Sequence, residues 1–85
     1  MFTVYVLRSQ RSGKLYIGMT HRPIMIRLAE HNSGGLKWTS GQGPFELVHQ
    51  ECFDTRIEAI RREKELKTGK GRKELGFELR SKLGL

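Results

Sequence analysis

The stretch TVYVLRSQRSGKLYIGMT, residues 3–20, decides the fold. Residues 2–8 alternate: Phe2, Val4 and Val6 fall on one side, Thr3, Tyr5 and Leu7 on the other. That period of two, rich in β-branched and aromatic residues, predicts a strand. Residues 9–13, SQRSG, are small and polar and end in glycine, which marks a turn. Residues 14–19 are strand-like again, so 2–8 and 14–19 pair as a β-hairpin. Each strand carries one tyrosine, Tyr5 and Tyr16.

Beyond the hairpin the period changes. In PIMIRLAEHN, residues 23–32, Ile24 and Leu28 stand four apart and Met25 extends the same apolar side, which predicts a helix. Thr20 or His21 lies near its start, and Pro23 suits the first turn. With Arg27 as origin, His31 falls at about 40°, Ile24 at about 60° and Leu28 at about 100°. Arg27 and His31 therefore border the apolar stripe. Residues 32–44 hold four glycines and a proline and read as a loop anchored by Trp38. FELVHQECF, residues 45–53, alternates as a third strand, with Phe45, Leu47, His49, Glu51 and Phe53 on one face.

The clearest helix is DTRIEAIRREKELK, which Asp54 or Thr55 can cap, with Thr55 and Glu58 at capping-box spacing. With Ala59 as origin, Leu66 falls at about 340°, Ile60 at about 100° and Glu63 at about 40°. One carboxylate thus lies on the inward side of a basic helix. Gly69 and Gly71 predict its end, and RKELGFELRSKLGL a shorter last helix. The order ββαβαα describes a minimal α/β (α+β) domain over 1–85, a three-stranded antiparallel sheet flanked by helices.

Composition narrows the function. Sixteen Lys or Arg against nine Asp or Glu give a net charge of +7, which favours an anionic partner such as nucleic acid. A chain of 85 residues has a thin core, so a shallow site is expected and a large organic cofactor is not. The single cysteine, Cys52, permits no internal disulfide and no multi-cysteine metal cluster, which fits a reducing cytoplasm. No signal-peptide pattern and no stretch of about 18 apolar residues is present, so no membrane role is expected.

VYV at 4–6 and YIG at 16–18, followed by Arg27, EHN at 30–32, Thr39, PFELVHQECF at 44–53 and EAIRREKELK at 58–67, resemble the GIY-YIG nuclease superfamily. The resemblance runs from about residue 2 to 74. It looks closest to small standalone members, themselves similar to the N-terminal nuclease domain of the bacterial excision-repair nuclease (excinuclease). The first motif reads Val-Tyr-Val, so its tyrosine is the central residue. The resemblance implies a metal-dependent DNA endonuclease, structure-selective or non-specific, acting in repair or recombination. Its catalytic residues would be Tyr5, Tyr16, Arg27, His31 and Glu63. Glu63 would hold one Mg²⁺ or Mn²⁺, weakly without DNA, because one carboxylate leaves the shell to water and phosphate. Arg27 would clamp phosphate oxygens. The family analogy leaves open which tyrosine handles the proton.

The run 61–73 carries seven Lys or Arg and two acids. Arg62, Lys64, Lys67, Lys70, Arg72 and Lys73, with Lys37 and Trp38 in the loop, are the expected nucleic-acid contacts. The alternative is a catalytically weak or inactive nucleic-acid-binding module, or a component of a larger repair assembly. Either reading leaves room for a repair-protein partner or a homodimer.

Overall fold

The middle strand of the sheet is the first in sequence. In the computed structural model, which describes residues 1–33 and 41–83 but not the side chains of 77 and 81–83, β1 (Phe2–Ser9) lies between β2 (Leu15–Thr20) and β3 (Phe45–Phe53). Both pairings are antiparallel, with Tyr5 opposite Gly18 on one side and Gln50 on the other. The expected hairpin is present. Ser9 organises its turn: its buried Oγ accepts from the backbone N–H groups of Arg11 and Ser12, both at 3.2 Å, and donates to the Gln42 carbonyl at 2.6 Å. Gly13 closes the turn at φ +76°, a conformation that other residues adopt at a cost.

Alternation along β1 sends side chains to two cores. Val4 and Val6 pack with Ile17 against Ala59 and Leu66 of α2 (Arg56–Leu66) and Leu75 and Leu79 of α3 (Gly69–Leu83). Tyr5 and Leu7 face the other way, with Phe45, Tyr16, and Ile24 and Leu28 of α1 (Ile24–Asn32). The sheet therefore lies between α1 on one face and α2 with α3 on the other.

The third strand departs from simple alternation. The register shifts where Val6 and Leu7 of β1 meet His49 and Leu47 of β3. A bulge inserts one residue into a strand and so moves the following side chains to the other face. Phe45 and Leu47 therefore pack in the α1 core, and Phe53 in the α2–α3 core. The single face expected for 45–53 is split at this bulge. Beyond it, Glu51 accepts from Arg62 of α2 at 3.0 and 3.2 Å and pairs with His49 at 2.8 Å, tying β3 to α2.

The helix boundaries also sharpen. Pro23 is the N-cap of α1 rather than a first-turn residue, and Met25 is exposed rather than part of the stripe. Thr55 caps α2 as its spacing predicted: its Oγ1 accepts from the Glu58 N–H at 3.3 Å and donates to the Glu58 carboxylate at 2.7 Å. Gly69 opens α3 at once instead of ending in a loop, and α3 is the longest helix at 15 residues. Thr68 makes this abrupt restart workable. Its Oγ1 donates to the Glu65 carbonyl at 2.7 Å and accepts from the Gly71 N–H at 3.0 Å. Gly71 packs so closely on the Glu65 carbonyl that a Cβ would overlap it. Among the described residues, no helix is long and apolar enough to cross a membrane.

Candidate active site and nucleic-acid interface

Tyr5 sits at the centre of β1 and is 0% exposed. Its ring lies over Gly18, its cross-strand partner. A Cβ at position 18 would stand 2.5 Å from the tyrosine oxygen. The glycine of YIG therefore leaves room for the Tyr5 ring.

Two α1 side chains reach the same hydroxyl. Arg27 Nε donates to Tyr5 Oη at 3.2 Å, and His31 Nε2 lies 3.0 Å from it. Spacing of four puts Arg27 and His31 on one side of the helix, bordering Ile24 and Leu28. His31, 1% exposed, meets the Tyr5 ring edge-on at 5.8 Å and the Phe45 ring at 6.0 Å. With Arg27 donating, the hydroxyl keeps its own proton for His31. The direction of the Tyr5–His31 bond follows the His31 tautomer: a neutral ring protonated on Nδ1 accepts at Nε2.

Electrostatics favour the neutral forms. Burial pushes the Tyr5 phenol above its ordinary pKa; Arg27 opposes the rise, while Glu63 and Glu30 add to it. Burial and the Arg27 cation lower His31, with Glu30 pulling the other way. Tyr5 thus holds its proton as the structure stands, and His31 stays uncharged near neutral pH.

Glu63 approaches from α2, on the opposite side of the sheet from α1. Its field nonetheless registers at the Tyr5 hydroxyl. Its side chain is 22% exposed and pairs with Lys67 at 3.4 Å, one turn along the helix. A lone, half-buried carboxylate fits a divalent cation whose remaining ligands are water and phosphate. Such an ion would supply charge neutralisation at a phosphodiester. Among the described residues, no three His, Cys, Asp or Glu side chains cluster as a complete metal shell would.

Tyr16 shares the Tyr5 face of the sheet, opposite Leu7, and its ring stands edge-on to Phe45 at 5.3 Å. Of the expected nucleic-acid contacts, Lys64, Lys67, Lys70, Arg72 and Lys73 are exposed. Arg62 is engaged within the fold by Glu51 and Glu65. Lys37, Trp38 and Thr39 lie outside the described residues.

Two site residues escaped the sequence reading. Glu30 pairs with Arg22 at 3.1 Å and lies 3.9 Å from Arg27. Asn32 accepts from the Phe45 N–H at 2.6 Å and donates to the Phe45 carbonyl at 3.3 Å, fixing the end of α1 to the start of β3. Both belong to EHN. Their adjacency to His31 was the available signal.

The chain's relatives agree with this architecture. The family model of the GIY-YIG catalytic domain matches residues 1–75, and the chain belongs to the GIY-YIG family. Within it, the chain falls among the UPF0213 proteins. It is 41% identical over 73 residues to a UPF0213 protein of Staphylococcus saprophyticus, covering 85% of this chain and 87% of the relative. It is 51% identical over 66 residues to one of Haloquadratum walsbyi, covering 76% and 72%. The solution NMR structure of a UPF0213 protein from Bacillus halodurans superposes with a TM-score of 0.53 at 37% identity, covering 88% of this chain and 82% of that one. The narrower expected likeness, to the excinuclease nuclease domain, gives way to UPF0213 membership.

Proposed function

We propose that the chain is a nucleic-acid-binding GIY-YIG domain whose phosphodiester cleavage, as an isolated chain, is slow. One observation carries the reading. Tyr5 is fully buried, keeps its proton and is engaged by Arg27 and His31, while the candidate metal ligand, Glu63, pairs with Lys67. A base that is neutral and enclosed, beside a carboxylate already paired, is not poised for turnover. The net charge of +7 supports an anionic partner, and the exposed cations of α2 and α3 support DNA.

A second reading, a metal-dependent endonuclease, is favoured by the convergence of Arg27, Tyr5 and His31 within the field of Glu63. DNA would supply the phosphate that completes a Mg²⁺ or Mn²⁺ shell, and a partner protein or second copy would present the strand. The two readings separate in one assay. Labelled flap, bubble and four-way-junction DNA are incubated with the chain and its Glu63→Ala variant in Mg²⁺ or Mn²⁺. Binding by both, with slow metal-dependent nicking lost in the variant, is the expected result. Multiple rapid turnovers establish the endonuclease instead, and failure of the wild type to bind any of the substrates overturns both readings.

A further inference from the structure

The start of α3 returns to the edge of β2. A cavity of about 300 Å³ there is lined by Lys14, Leu15, Tyr16 and Ile17 of the hairpin, Lys67 after α2 and Arg72 of α3. Three of these six residues are cations and none is acidic. One cation is far in sequence from the other two: Lys14 comes from the hairpin, Lys67 and Arg72 from the α2–α3 junction. The junction is held in place by Thr68 and by the close packing of Gly71 on α2. The cations thus meet because of the fold, not because of one run of charge.

Arg72 also lines a second cavity of about 330 Å³, with Lys73, Gly76 and Arg80. The two cavities share Arg72, so basic residues line both the β2 edge beside Tyr16 and the adjoining turns of α3. From Arg72 to Arg80 the helix advances roughly 12 Å.

Gly76 adds an independent observation. It lies inside a 15-residue helix, where glycine is unfavourable relative to alanine. A Cβ at this position would meet nothing within 4 Å, so internal packing does not require its absence. Gly76 lines the second cavity with Arg72 and Arg80, one turn from the first and one from the second, and a Cβ there would project into open space.

We infer that Lys14, Lys67, Arg72 and Arg80, with Gly76 between the last two, form a track for the sugar–phosphate backbone of a nucleic-acid strand that leads past Tyr16 at the β2 edge. The track rests on the nucleic-acid-binding reading and gives it a location. Lys67 links it to Glu63, with which it pairs at 3.4 Å. A phosphate taken up by Lys67 therefore competes with that carboxylate.

The test uses the full chain with a fluorescent single-stranded oligonucleotide, and vesicles of phosphatidylserine as a second anionic surface. Amide NMR shifts on adding oligonucleotide are expected at Lys14–Ile17 and 67–76. Lys14→Ala, Arg72→Ala and Arg80→Ala combined should lower the slope of log affinity against log salt by about two, at about 0.7 per phosphate contact. Arg56→Ala, outside the track, should leave the slope unchanged. Gly76→Ala should raise the thermal midpoint while weakening binding. Shifts confined to α1 and an unchanged slope in the triple variant overturn the track and leave the binding reading standing. Absence of oligonucleotide binding overturns both, as does capture by the vesicles alone.

Discussion

A side chain at Gly18 and the hydroxyl of Tyr5 claim the same space, since a Cβ at 18 would stand 2.5 Å from Tyr5 Oη. The two residues are cross-strand partners, so neither can move aside without disturbing the β1–β2 ladder. Gly18→Ala should lower stability by about 1–3 kcal/mol, the usual cost of overpacking a filled core. Tyr5 Cζ would stand 2.6 Å from the same Cβ, so adding Tyr5→Phe, which removes only the oxygen, should not restore the loss. Denaturant unfolding of Gly18→Ala and of the double variant measures both.

Burial and Arg27 lower the pKa of His31 in the fold. A histidine with a lowered folded-state value binds fewer protons folded than unfolded near its transition. Its contribution is complete above the unfolded value of about 6.5 and declines as pH falls through the folded one. Stability should therefore fall as pH drops below about 6.5, and the fall should be shallower in His31→Gln. Urea midpoints at matched pH for the two proteins give the difference.

Arg27 binds Tyr5 through Nε, the inner nitrogen of the guanidinium. Its outer nitrogens remain on the side nearer Glu30, 3.9 Å from Nη1. Lysine keeps the charge but lacks a planar fork able to contact hydroxyl and phosphate together. Arg27→Lys should keep most of the binding to DNA but slow any metal-dependent nicking by at least tenfold. Mobility shifts and single-turnover cleavage on the same substrate separate the two effects.

Asn32 serves both backbone groups of Phe45, with the shorter bond, 2.6 Å, at the N–H. Asn32→Ala should cost about 1–3 kcal/mol, because the part-buried partners lose their bonds. Asn32→Asp keeps the acceptor for the N–H and should lose less. Thermal unfolding of the pair orders them.

The parts of the fold legible in the sequence are those governed by local period. Alternation in 2–8 located β1, and Thr55 with Glu58 located the start of α2. Arg27 and His31 were placed beside the apolar stripe by helical angle alone, and both meet Tyr5. What the period could not reveal were effects that depend on a partner. The bulge opposite Val6 and Leu7 reverses the face of half of β3, and only pairing exposes it. Gly71 reads as a helix breaker in isolation, yet its lack of a side chain is what lets α3 pack on the end of α2. Gly18 likewise acquires its purpose from a tyrosine on another strand. Lys14 carried no local signal, since its cationic partners in the cavity, Lys67 and Arg72, come from the α2–α3 junction.

The central claim is that this basic GIY-YIG domain binds nucleic acid through its phosphates. Equilibrium binding of a labelled oligonucleotide measured by anisotropy from low to moderate salt tests it most directly. Three or more phosphate contacts on a single strand predict a log–log slope of about −2 or steeper. Undetectable binding at low salt, or affinity that does not change with salt, would contradict the account.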